Sequence, residues 1–273
     1  VTTSTRKRLA REVRRKDADL AELALCICAE RDQDLDVDAA LLRVDALADG
    51  LLTRGSLTGD PPEDAAALAA YLAGEQGFTG DVEDYHDPVN GLLTEVLDRH
   101  RGLPIVLSVL YVAVARRVRI PAWGIAHPGH YYVGVGTPDR PIVLDPFHDG
   151  AVVEQEELAA RLRAATAGRI DFTRAHLRPA GPATTTRRIL NNLTRDFTNR
   201  GELEDALWTV ECKLVLPNAL PDDHRARGEL LSHLGRYLRA AEAFETYLGV
   251  VGEAAVDADE VRAQAVRARA KLN

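Results

Sequence analysis

The residues with the clearest chemical potential are His130, at the head of "GHYYVGV", and Asp145, fifteen positions later in "VLDPF". An imidazole oriented by a carboxylate is two thirds of the apparatus with which cysteine hydrolases and acyl transferases generate and aim a thiolate. The third member belongs at a helix N-terminus, where the helix dipole stabilises an anion and free N–H groups can receive an oxyanion. Here the helix "PIVLSVLYVAVARR" opens on Pro104. Proline suits a first helical turn, because its missing N–H would be unpaired there and its φ is preset. The helix start is kept and the thiol chemistry is deleted, a loss on the order of a millionfold when a triad nucleophile is removed.

Other groups are available on paper. Ser108 lies one helical turn after Pro104 and shares its face, although a serine inside a buried apolar helix more often bonds a backbone carbonyl. Cys26 lies on a distant helix. His130 and Asp145 could activate water, bind a ligand without turnover, or tie two strands together. Asn90, Gly102, Pro104, Gly129, His130 and Tyr131 bound the expected binding pocket. His127, His130, Asp145 and His148 offer metal ligands, but in a Pro-Gly turn rather than at helical spacing and with no cysteine pair, so no metal centre is expected. No cofactor is expected either: the chain has no phosphate-cradling glycine loop and no Gly-x-Ser-x-Gly elbow.

The elements that must position these residues can be read from periodicity. Apolar positions recur at helical spacing in "DADLAELALCICAERD", in "DVDAALLRVDALADGLL" with Gly50 near its stop, in "PEDAAALAAYLAGEQGF" closing near Gly74, and in "DPVNGLLTEVLDRH". The helix from Pro104 is apolar almost all round and so must be central and buried, with Arg116, Arg117 and Arg119 complementing its C-terminal dipole. "AWGIA", "YYVGVG" and "PIVLD" read as strands of a small antiparallel sheet. After the breaker-rich "RPAGPATTT", near residue 180, the chain becomes helical to its end, which sets the expected domains at 1–180 and 187–273.

The last third carries an internal repeat. At a shift of 34, Gly201 falls on Gly235, Leu203 on Tyr237, Ala206 on Ala240 and Leu214 on Leu248. Gly228 stands seven before Gly235, where the first helix of a pair needs a small residue to let its partner close in. This period and pattern resemble the tetratricopeptide repeat, in which each helix pair leaves an apolar face for a neighbour to cover. Residues 257 to 272 read as a last capping helix.

Composition excludes several classes. Among 273 residues, 46% are hydrophobic and 28% charged, and the formal net charge is −8, which argues against a duplex-binding surface over the whole molecule. No window approaches the apolar length of a membrane span. The basic run Arg6 to Lys16 reads as a solvated, partly helical arm; it lacks the interleaved aromatics of a nucleic-acid platform. Cys26, Cys28 and Cys212 form no even framework and read as free thiols of a reducing cytoplasm.

Together, "GLP" with Pro104, "RIPA" at 119 to 122, His130 in "GHYYV" and Asp145 in "LDPF" resemble a transglutaminase-like (papain-like) core in which the cysteine position falls on Pro104. The longer string from "DYHDPVNGLLTEVLDRHRGLP" to "LDPFHDG", followed by repeat helices, is similar to the bacterial SirB-type proteins, in which proline is usual at that position. Tyr131-Tyr132 and His148 depart from the commoner residues there. The resemblance implies an α+β fold: a mainly helical transglutaminase-like core with a small antiparallel sheet, then an α-helical repeat region. The expected function is a non-catalytic interaction or regulatory module that takes a protein or peptide partner through its repeats, with no membrane or nucleic-acid partner. The alternative is a hydrolase or acyl-transfer enzyme in which His130 and Asp145 work with water, Ser108 or a substrate's own nucleophile.

Overall fold

A computed structural model describes residues 4–252 and 255–272. Its centre is the helix α6 (Pro104–Arg117), every residue of which is buried from Pro104 to Ala115. A helix with no polar face can exist in water only if other elements enclose it. Around it lie α1 (Ser4–Glu12), α2 (Leu20–Arg31), α3 (Val37–Leu52), α4 (Pro61–Ala69), which runs on into a π-helical turn at Ala70–Glu75, and α5 (Leu93–Arg99). Asp19 and Asp36 cap α2 and α3 through hydrogen bonds to Ala21 N and Asp38 N. Arg117, at the end of α6, donates to Asp19 Oδ2 (2.8 Å) and to Asp45 of α3, so the C-terminal charge also locks the three helices together.

The remaining side of α6 is covered by a four-stranded antiparallel sheet, β3 (Ala122–His127), β4 (His130–Thr137), β5 (Arg140–Asp145) and β6 (Ala151–Val152), paired in that order. A separate parallel pair, β1 (Thr79–Gly80) with β2 (Arg101–Gly102), lies upstream. Pro128 and Gly129 fill the turn between the paired residues His127 and His130, and Gly129 takes the positive φ (78°) that this turn demands. Because adjacent strand residues face opposite ways, Tyr131, Val133 and Val135 join the α6 core. Tyr132 packs on the other face with Trp123, Ile125, Val143 and Leu158. That outer face is closed by α7 (Gln155–Ala165), whose short Leu158/Leu162 stripe carries too weak a period to be read from sequence.

Five helices follow: α8 (Pro182–Arg200), α9 (Leu203–Lys213), α10 (Pro221–His233), α11 (Tyr237–Val251) and α12 (Ala258–Ala270). The 34-residue shift lands on matching places: Gly201 and Gly235 both take positive φ behind α8 and α10, and Ala206 and Ala240 are both fully buried in α9 and α11. The core is continuous from Leu9 to Ala268.

Two sequence readings are corrected. Residues 182 to 186, read as part of a breaker-rich stretch, form the first turns of α8, since a proline at the first helical position starts a helix as well as it stops one. Gly50 stands near the stop of α3, as its sequence implies, and lies beneath Tyr71, whose hydroxyl leaves no room for a Cβ there. The basic run is no solvated arm: α1 buries Leu9 and Arg6, and Arg6 bonds Glu30 of α2 (Nε to Oε2, 2.9 Å) and Glu211 of α9 (3.0 Å).

Gly228 of α10 tests the repeat packing, because a Cβ there would sit 2.6 Å from the buried ring of Phe244. Gly228→Leu is expected to destabilise the chain by about 1–3 kcal/mol through overpacking. Gly249→Ala, at an exposed position of α11 with open space around it, is expected to stabilise by roughly 0.5–1 kcal/mol. Urea midpoints of the two variants check both.

Candidate functional site

At the open ends of β4 and β5, the buried carboxylate of Asp145 gathers four donors. His130 Nε2 lies 2.8 Å from Oδ1, and His148 Nδ1 lies 2.8 Å from Oδ2. Arg161 Nη1 donates to Oδ2 at 3.2 Å and Phe147 N to Oδ1 at 3.2 Å. Local geometry explains the convergence. His130 opens β4, Asp145 closes β5, and Asp145 caps the 3-10 turn Pro146–His148 that brings His148 back over it. Burial alone would raise the Asp145 carboxyl, but the hydrogen bonds and charges of His130 and then His148 bring it down to about 2.

The imidazole of His130 is boxed in. Its ring centroid is 4.5 Å from that of Tyr132, with Phe147 edge-on at 6.1 Å and His148 stacked at 6.0 Å, and 15% of the side chain is exposed. Nε2 engages Asp145, which leaves Nδ1 as the nitrogen available for proton transfer. Among the described residues, no hydroxyl or thiol hydrogen-bonds to His130. Ser108 is fully buried and donates to Tyr131 O of β4 at 3.3 Å, a bond that ties α6 to the sheet. The three thiols are buried and free; burial pushes Cys26 up to about 12 and raises Cys28 and Cys212 as well. None is an accessible thiolate.

The remaining expected residues fall into two groups. Asn90 and Gly102 frame the start of α6: Asn90 O accepts from Leu103 N (2.9 Å) just before Pro104, its amide spans Asp84 O and Arg99 Nη1, and Gly102 is pressed against Val96. Gly129 forms the turn beside His130. Tyr131 does not join the pair: it is buried on the α6 side, with its hydroxyl 2.7 Å from Thr185 Oγ1. Its neighbour Tyr132 takes that place and accepts from Arg161 at 3.0 Å. His127 also turns away, fully buried with Nδ1 on Pro128 O, and burial lowers its pKa. Sequence reasoning missed Arg161 and Tyr132. The strand parity of His130 would have selected Tyr132, whereas Arg161 depends on α7.

The long helix that follows the sheet also reaches this site. Arg188 of α8 donates to His127 O (2.8 Å) and His130 O (2.9 Å), across both sides of the turn.

Residues 38–191 match the model of the transglutaminase-like superfamily, more than half of the chain. The chain belongs to that superfamily. Residues 197–272 match the tetratricopeptide repeat model. Among relatives, a UPF0162 protein of Xylella fastidiosa (strain 9a5c) is 32% identical over 84% of this chain and 83% of its own length. A UPF0162 protein of Pseudomonas aeruginosa is 29% identical over 79% and 78%. The crystal structure of menin is similar at 14% identity, covering 96% of this chain and 73% of menin, with a TM-score of 0.41.

The depressed Asp145 pKa makes a stability prediction. A carboxyl lowered from 3.8 to about 2 stabilises the fold above its unfolded value and loses that contribution as pH falls through the folded one. The difference corresponds to about 2 kcal/mol. Asp145→Asn is therefore expected to lose roughly that amount at neutral pH. The gap between variant and parent should narrow as the pH drops from about 4 towards 2. Denaturant titrations across that range check it.

Proposed function

We propose that this chain is a non-catalytic transglutaminase-like protein that acts as a protein- or peptide-binding module of the cytoplasm. The observation that carries the reading is the fate of every possible nucleophile. Pro104 holds the helix start where a thiol would stand, Ser108 is spent on a backbone carbonyl, and the three cysteines are buried. A dyad without a nucleophile retains little of a triad's rate. Three unpaired thiols suit a reducing compartment. Among the described residues no helix is long and apolar enough to cross a membrane. Nucleic acid is disfavoured by the pairing of the basic residues on α1, where Arg8 bonds Glu22 and Asp38.

Tetratricopeptide repeats generally mediate protein–protein contacts, and this array carries a groove suited to one. Thr194, Thr198, Leu203, Ala226 and Leu230 line an apolar trough between α8, α9 and α10. Glu229 and His233 join it to a second hollow, where Tyr237, Arg267 and Lys271 stand along α11 and α12. An extended or helical peptide with an apolar face fits such a trough.

One observation favours the hydrolytic alternative. Asp145 holds Nε2 of His130, the orientation that frees Nδ1 to activate a water or a substrate's own nucleophile.

Affinity capture from a bacterial extract separates the two readings. A partner retained by the parent and by His130→Ala, but lost at least tenfold by Ala226→Arg with an unchanged melting curve, is the expected result. Turnover of an ester, thioester or amide that vanishes in both His130→Ala and Asp145→Asn, with folding intact, would overturn the non-catalytic reading.

A further inference from the structure

We propose that His130, Asp145 and His148 form a binding site for one divalent transition-metal ion of the zinc class. The three residues each bring one donor atom to within 4.8 Å of the others, and among the described residues no other group of three or more histidine, cysteine or carboxylate ligands converges in this way. Two imidazole nitrogens and one carboxylate oxygen are donors for zinc and its first-row neighbours, and a poor set for calcium or magnesium, which take oxygen.

The geometry is close to what such an ion needs. Zinc–nitrogen and zinc–oxygen bonds of about 2.0–2.1 Å set neighbouring donors of a tetrahedral site about 3.3–3.5 Å apart. The two N···O distances of 2.8 Å run to different oxygens of Asp145, Oδ1 for His130 and Oδ2 for His148, so an opening of roughly half an ångström and a rotation of the exposed His148 ring about the carboxylate admit the ion. Most of the site is already fixed. The carboxylate is anchored by Phe147 N, and the His130 ring is held between Tyr132 and Phe147. His148 is the exposed member, with 55% of its side chain in solvent, so the ion enters from its side and fills its remaining positions with water.

In the metal-free arrangement each neutral imidazole lends a proton to Asp145. On binding, His130 moves its proton from Nε2 to Nδ1 and His148 from Nδ1 to Nε2, and the ion takes the place of the two shared protons. Arg161 is the opposing group. Its guanidinium lies 3.2 Å from Asp145 Oδ2 and so repels a cation bound to the same carboxylate, while Tyr132 Oη and Glu157 hold it at the rim of the site. His127 takes no part, since its ring is packed under Tyr132. The site stands independently of the groove on the repeats, and loss of either leaves the other untouched.

The test uses the full chain without a polyhistidine tag, stripped with a chelator and titrated with Zn(II) by calorimetry and with Co(II) by visible absorption. One equivalent of each is expected, with Co(II) bands of a four- or five-coordinate ion. His148→Ala, at an exposed position that leaves folding intact, should weaken binding at least tenfold, and Arg161→Gln should tighten it. No stoichiometric binding by the parent, or equal affinity in His148→Ala, would overturn the proposal.

Discussion

The constraint behind the whole structure is the helix from Pro104 to Arg117, apolar on all its sides. Burying one such side chain contributes about 1.5–3 kcal/mol, but only if every face finds a cover. The α2 and α3 helices, the inner face of the sheet and part of α8 supply that cover. Tyr131, Val133 and Leu144 belong to the same core as Val106, Leu110 and Leu190. The strands that carry His130 and Asp145 are placed where they are because their inner residues close this helix. The polar cluster at their ends follows from that packing.

The cluster itself shows a reactive geometry without a reactive atom. Asp145 orients His130 through Nε2, as an acyl-transfer site would require, yet Pro104, Ser108 and the three thiols each fail to supply a nucleophile for separate physical reasons: no attacking atom, a committed hydroxyl, and desolvated sulfur. Asp145 is kept charged by cationic and N–H donors on all sides. A buried carboxylate in that state is a strong local anion, the property on which its stabilising role rests.

The legible parts of the sequence were those fixed by local pattern. The proline-led helix, the Pro-Gly hairpin beside His130, the Asp-Pro turn at Asp145 and the 34-residue repeat all follow from periods and turn chemistry within short windows. The illegible parts are pairings across long separations. Arg6 with Glu211 and Arg188 with His130 join residues far apart in the chain, and no window in sequence contains both partners. Arg161 was missed because α7 shows only Leu158 and Leu162 as an apolar stripe, too little to mark a helix that covers the outer sheet face. Strand alternation places Tyr132, and not the Tyr131 that the motif suggests, beside His130.

The grip of Arg188 on the two carbonyls flanking the Pro128–Gly129 turn has a mechanical consequence. Any load that tilts α8 must either drag the histidine hairpin with it or break two charge-assisted bonds, each about 1.5–3 kcal/mol. The turn that carries His130 is therefore clamped from outside the sheet as well as from within it.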